Sequence, residues 1–238
     1  MEAEREITVK GWYSRGWQTY RRHTKPLIMG SVLLIGLSLL FTLLNALARG
    51  GWVIAISQVF IMPVLTVGWL FLCLKGVRNE VVRATHIFTA FSSYGRIWVT
   101  YILYILIVAG GVFLLVVPGI LWAVKYGMSL FVTMDRSLFV RDAYRYSSAI
   151  TRGYRWKLFV ALLAASALNA LSVPFSMGLQ KIGEGGAAPL LIFGAVPLLA
   201  CMFVVTPWIG PSFASAYESL CTAKEEVGHT SDTTGKDS

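Results

Sequence analysis

Long apolar runs separated by short polar stretches dominate the chain. A helix that crosses a bilayer needs about 20 mainly apolar residues. The runs predict six such helices, over 26–48, 52–74, 98–118, 119–137, 158–179 and 188–214. The third and fourth belong to one continuous run. It is divided at Pro118-Gly119, because that dipeptide is a strong turn signal and an undivided helix would overshoot the bilayer. The other two connections on that side are also short: Arg49-Gly50-Gly51, and 181–187 with its three glycines. The expected fold class is all-α: a polytopic membrane protein with six transmembrane helices as three hairpins, carrying cytoplasmic amphipathic interfacial helices. An amphipathic N-terminal segment spans 1–25 and the six-helix domain 26–218. A polar tail, 219–238, is expected to be disordered.

Between the runs, polar and apolar positions recur with helical period. Arg141, Arg145, Ser148 and Arg152 share one face of 138–152. Phe139, Ala143, Tyr146 and Ile150 share another. This pattern predicts a basic amphipathic helix lying in the membrane interface. Ile87, Phe88, Phe91 and Tyr94 form a less charged stripe, and Tyr13, Trp17 and Tyr20 a third. Each stretch ends in a basic-aromatic collar. The collars are Tyr20-Arg21-Arg22, Tyr94-Gly95-Arg96-Ile97-Trp98 and Tyr154-Arg155-Trp156-Lys157. The returning helices carry Pro63, Pro118 and Pro207. The chain reads as three degenerate copies of one unit: amphipathic segment, collar, hairpin.

Composition agrees with lipid as the solvent. The chain is 56% hydrophobic and 14% charged, where soluble domains carry about 25% charged residues. The formal charge of +9 is unevenly spread. Eighteen of the 21 Lys and Arg fall in 1–25, 75–96, 135–157 and 219–238. Only Arg49 and Lys181 fall in the opposite connections. Lys/Arg excess marks the cytoplasmic face, so both termini are expected there. The first 26 residues hold no cleavable leader pattern, which makes the first helix an expected retained anchor. Nucleic acid is not an expected partner, because the bases would compete with lipid for the same basic faces.

Candidate chemistry is sparse. The collars and the basic helix supply a candidate lipid-headgroup surface: Arg21, Arg22, Arg96, Trp98, then Arg141, Arg145 and Arg152, then Tyr154, Arg155, Trp156 and Lys157. Arg and Lys can bury their stems in the acyl boundary and keep their charges among phosphates. Trp and Tyr favour the same depth. Simple anchoring is the blander reading of the same residues. Lys125 is the one charge well inside a predicted span, which makes it a functional candidate by default. Counted from Pro118-Gly119 it lies about 9 Å deep, at 1.5 Å per residue, and is expected to snorkel outward. Asn45, Gln58 and Asn169 are further intramembrane polar candidates, and hydrogen bonds between helices account for them equally well.

No metalloprotease, nucleophile-elbow, phosphate-loop or dinucleotide motif occurs. His23, His86 and His229 have no partner at ligand spacing, and neither do Cys73, Cys201 and Cys221. No catalytic residue, cofactor or metal is therefore expected, and the chain is not expected to be an enzyme.

The stretch from Gly16-Trp17 to Lys25-Pro26, "VVPGILWAVKYGMSLFV" and "RDAYRYSSAITRGYRWKLF" together resemble a bacterial six-helix inner-membrane family. That family is related to the membrane domain of glycerophosphoryl diester phosphodiesterases. The resemblance covers roughly 10–218, and the phosphodiesterase domain itself is absent. It implies a bacterial inner membrane and a connection with phospholipid, and it transfers no catalytic residue. The expected function is a non-enzymatic, lipid-interacting or membrane-organising protein, or an accessory subunit of a membrane assembly. Its expected partners are anionic lipids, and a membrane protein or a second copy. The alternative is a transporter or channel for a lipid or an amphiphilic solute.

Overall fold

A computed structural model describes residues 7–48, 51–114, 116–170, 173, 177 and 187–234. They are helical almost throughout, with no strand among them. Helix α1 is Val9–Arg22, capped by the Thr8 hydroxyl, which accepts from the Gly11 amide at 3.1 Å. Helix α2 is Thr24–Ala48. Helix α3 spans 52–77, with a π-helical turn at Ser57–Ile61. A 3-10 helix, Ala84–Ser93, leads into α4, Tyr94–Leu114. Next come α5 (Val116–Tyr126), α6 (Ser129–Asp135), α7 (Val140–Ile150) and α8 (Arg155–Ala170). Helix α9 spans 187–234, with a second π turn at Cys201–Val205.

Among the described residues, five segments are long and apolar enough to cross a membrane: Thr24–Asn45, Ser57–Val77, Ala84–Leu114, Val117–Asp135 and Gly194–Glu226. The chain is an all-helical membrane protein. The predicted span 158–179 is described continuously only to Ala170. Arg49-Gly50 and most of 181–187 lie outside the described residues.

Three boundaries differ from expectation. Pro118-Gly119 is not the turn. Helix α4 ends at Leu114, α5 packs back against it, and Pro118 sits in the first turn of α5, where its missing N–H costs nothing. Gly119 instead permits close approach: a Cβ there would lie 2.6 Å from the Val112 amide nitrogen across the hairpin. The expected fourth span is two helices, α5 and α6, separated at Gly127-Met128. The tail expected to be disordered from 219 is helical to Thr234, with Leu220 and Cys221 buried in the core.

The returning helices are the inner ones. Of the span Ser57–Val77, 61% is buried, against 17% for Thr24–Asn45 and for Ala84–Leu114. The amphipathic segments pack on these inner helices in a cyclic order. The 3-10 helix lies along α3, α7 lies on α6, and α1 lies along α9. Each one rests on the returning helix of the preceding hairpin, and the first closes on the last. The N-terminal segment is therefore part of the core rather than a surface layer: Trp12 is 1% exposed. Two contacts of the ring leave no room for a side chain. A Cβ on Gly16 would strike Ser212, and one on Gly68 would strike the Ile87 carbonyl.

The collars latch the ring. A proline cannot donate to the carbonyl four residues back, so Pro63 leaves the Val59 carbonyl free and Pro207 leaves that of Phe203. Trp98 Nε1 donates to the Val59 carbonyl at 2.9 Å, and the Tyr94 hydroxyl to that of Phe60 at 3.0 Å. The Tyr20 hydroxyl donates to the Phe203 carbonyl at 3.0 Å. All three acceptors lie at π turns, where ladder bonds are already disturbed. The collar arginines hold the turns that follow the returning helices. Arg22 donates to the Asn79 side chain and Arg96 to the Ser137 carbonyl. Asn79 and Ser137 both have positive φ, at 57° and 51°.

The inner helices are clasped at one end. Arg78, following α3, donates to Asp135 of α6 at 2.5 and 3.1 Å, and lies 2.9 Å from Glu218 of α9. The Tyr217 hydroxyl donates to the same Asp135 at 2.9 Å. These hydrogen bonds hold the Arg78 guanidinium well above its usual range.

Candidate functional site

The third copy of the unit is built differently. Pro118 starts a helix instead of interrupting one, so it frees no carbonyl in mid-helix. Tyr154 accordingly donates to no carbonyl among the described residues. The collar arginine of this copy, Arg155, has no turn to hold, because α9 runs straight on where the other returning helices end. Its Nε is buried without a hydrogen-bond partner.

Helix α7 is positioned by the break between α5 and α6. A helix C-terminus leaves carbonyls without intrahelical donors. The carbonyl of Lys125 accepts instead from the Ser147 hydroxyl at 2.9 Å and the Thr151 hydroxyl at 3.4 Å. The Tyr144 hydroxyl donates to the Thr100 carbonyl on α4 at 2.8 Å. Burial pushes the Tyr144 phenol up, which keeps it a neutral donor. Ala143, Tyr144, Ser147, Ile150 and Thr151 form the buried face of α7. The opposite face presents Arg141, Arg145 and Arg152, exposed as the sequence pattern predicts.

These arginines border a cavity of about 950 Å³ between α4, α5 and α7. Lys125 and Arg155 complete its charged lining, giving five cations: Lys125, Arg141, Arg145, Arg152 and Arg155. No carboxylate lines it among the described residues, and none of the five forms an ion pair there. Lys125 Nζ lies 4.7 Å from the centroid of the Tyr126 ring, a cation–π contact. Leu103 and Ile107 supply an apolar wall on α4. Lys125 thus faces the arginines of α7 and does not snorkel toward the hairpin tip. Counting depth from Pro118-Gly119 could not show this, because the partner helix was not in the count.

The other candidate residues do other work. Arg22, Arg96 and Trp98 are committed to the latches, and Arg21 is exposed on α1. Lys157 Nζ donates to the Ile7 carbonyl at 3.0 Å and lies 5.4 Å from the Tyr154 ring centroid. Trp156 is exposed and rests on Phe159, with ring centroids 5.3 Å apart. Asn45, Gln58 and Asn169 are not gathered with Lys125. Gln58 is exposed at the π turn of α3, and Asn169 Nδ2 donates to the Ala165 carbonyl at 3.0 Å. Sequence reading missed Thr100, Tyr144, Ser147 and Thr151 as positioning groups. The signal for two of them, Ser147 and Thr151, was the small and polar spacing of Ala143, Ser147, Ile150 and Thr151 on one helical face.

No protein-family model, curated protein or solved structure matches the chain. Function is therefore read from the site, since a fold alone does not dictate an activity. No group of His, Cys, Asp or Glu among the described residues could hold a metal ion. The three cysteines are free and buried. What the site offers chemically is concentrated positive charge beside apolar surface.

Proposed function

We propose that this chain is a non-enzymatic integral membrane protein that binds an anionic lipid headgroup in the cavity between α4, α5 and α7. Through that contact it organises lipid or serves a membrane assembly. The observation that carries this reading is the lining: five cations and no carboxylate. Like charges brought together near apolar surface repel one another unless an anion joins them. Guanidinium groups present planar forks that suit phosphate oxygens. Each basic residue close to an anionic leaflet adds about 1 kcal/mol of attraction. The uneven spread of Lys and Arg supports an orientation with the cavity and both termini on the cytoplasmic side, and the resemblance in the sequence implies that the membrane is a bacterial inner membrane.

A carrier for a lipid or amphiphilic solute is the second reading, favoured by the size of the cavity between hairpins. Asn45, Gln58 and Asn169 stand apart from it, so they extend no polar path beyond it. The test is lipid retention. The chain is purified in mild detergent, and bound phospholipid is identified by native mass spectrometry. The wild type is expected to retain anionic phospholipid in preference to zwitterionic. Arg141→Gln with Arg145→Gln is expected to lower that retention at least about fivefold, from the roughly 1 kcal/mol per basic residue. Equal retention of zwitterionic lipid by the wild type would refute the proposal. Full retention by Lys125→Met would remove Lys125 from the site.

A further inference from the structure

Beside the cationic cavity lies a second depression, a groove of about 400 Å³ between α5 and α8. Its α5 wall is Val117, Ile120, Leu121 and Val124, and its α8 wall is Trp156 and Phe159. One charged residue touches it, Arg155, and Arg155 also lines the cavity. The two depressions therefore adjoin at a single arginine side chain. The groove leads from the level of Lys125 toward the hairpin tip, along seven residues of α5 or about 10 Å. Val117, Leu121 and Trp156 are 67%, 53% and 73% exposed.

We infer that the bound anion is the headgroup of a glycerophospholipid, one acyl chain of which lies in the groove between α5 and α8, with Arg155 at the junction. This inference rests on the headgroup reading above and adds a second contact to it. Three observations converge. Charge and apolar surface are segregated into adjoining depressions, as they are in a phospholipid. The segregation has the correct direction, because the charged cavity lies at the interfacial helix α7 and the groove lies along the spanning helix α5. Finally, Arg155 is the one collar arginine with a buried, unpartnered Nε, and it is the residue shared by the two depressions, where this lipid would pass from headgroup to chain. A free phosphate would satisfy the cavity and leave the groove to unspecific lipid. A zwitterionic lipid would satisfy the groove and bring its own cation into a cavity that already has five.

The test separates head from chain with soluble and single-chain probes. Binding to the purified full chain is measured by competition in detergent. The probes are long-chain lysophosphatidate, glycerol 3-phosphate, inorganic phosphate and long-chain lysophosphatidylcholine. Lysophosphatidate is expected to bind at least about tenfold tighter than glycerol 3-phosphate, an advantage that two buried methylenes would already exceed. Leu121→Trp and, independently, Val117→Trp fill the groove from exposed positions outside the core. Each is expected to cut the advantage of the chain to about threefold or less and to leave glycerol 3-phosphate unaffected. Arg145→Gln is expected to weaken all three anionic probes together. If both groove variants keep the full advantage, the chain lies elsewhere and the inference is overturned, while the headgroup reading stands. If inorganic phosphate or glycerol 3-phosphate matches lysophosphatidate, the inference is likewise overturned. If lysophosphatidylcholine matches lysophosphatidate, the headgroup reading itself fails.

Discussion

Arg96 and Arg155 occupy comparable places in two copies of one collar, yet the first is tied to a turn and the second is not. The difference arises at neighbouring residues, in whether a turn follows the returning helix. Glycines are equally position-dependent. Gly68 abuts the Ile87 carbonyl, whereas a Cβ on Gly36 would meet nothing within 4 Å. Gly68→Ala should therefore lower stability by about 1–3 kcal/mol, the usual cost of overpacking, and Gly36→Ala should not. Thermal unfolding of the two variants in one detergent checks the contrast. At this scale the sequence was only partly legible. It exposed Arg141, Arg145 and Arg152 as one face, because helical period depends on spacing alone. It could not place Lys125, whose surroundings depend on a helix that arrives twenty residues later.

At the scale of elements, the prolines govern where the collars attach. Pro63 and Pro207 interrupt α3 and α9, and Trp98 and Tyr20 restore donors to the carbonyls left free. Tyr20→Phe and Tyr94→Phe are each expected to cost about 0.5–1.5 kcal/mol, the net value of a typical hydrogen bond. Tyr154→Phe is expected to cost nothing comparable. Denaturant unfolding of the three variants compares them, and an equal loss at Tyr154 would break the account of the third copy. The repeated collar was readable from the sequence as a lipid-facing device, headgroup surface or anchor, but its hydrogen bonds to the returning helices were not. Side-chain types suit both lipid and carbonyl partners. The missing clue was available, since each proline identifies an orphaned acceptor four residues earlier.

On the scale of the whole molecule, three returning helices form the centre and are clasped by Arg78. Asp135 is one-tenth exposed. Arg78→Gln leaves the Asp135 carboxylate without its ionic partner, and about 1–3 kcal/mol of stability should be lost. The variant should also admit protease near Asn79 and Ser137, and limited proteolysis in detergent reads that opening. Retained stability and an unchanged cleavage pattern would remove the clasp from the account. Apolar runs and charge asymmetry made the membrane class legible. The burial of Leu220 and Cys221 was not, because a polar composition around them concealed two residues that belong to the core.

The closure of the ring between α1 and α9 imposes an order on biosynthesis. Tyr13 accepts, through its carbonyl, a hydrogen bond from Trp208 at 3.0 Å, across a separation of 195 residues. A ribosome adding about 5–20 residues per second needs roughly 10–40 s to cover that interval. During it, Trp12 has been made and its partner helix has not. The amphipathic character of α1 gives the nascent chain a place to wait, flat on the bilayer surface with its apolar face shielded. Only when α9 is inserted can α1 leave lipid for protein. Helix α1 is thus made well before α9 and takes its place in the core only together with it.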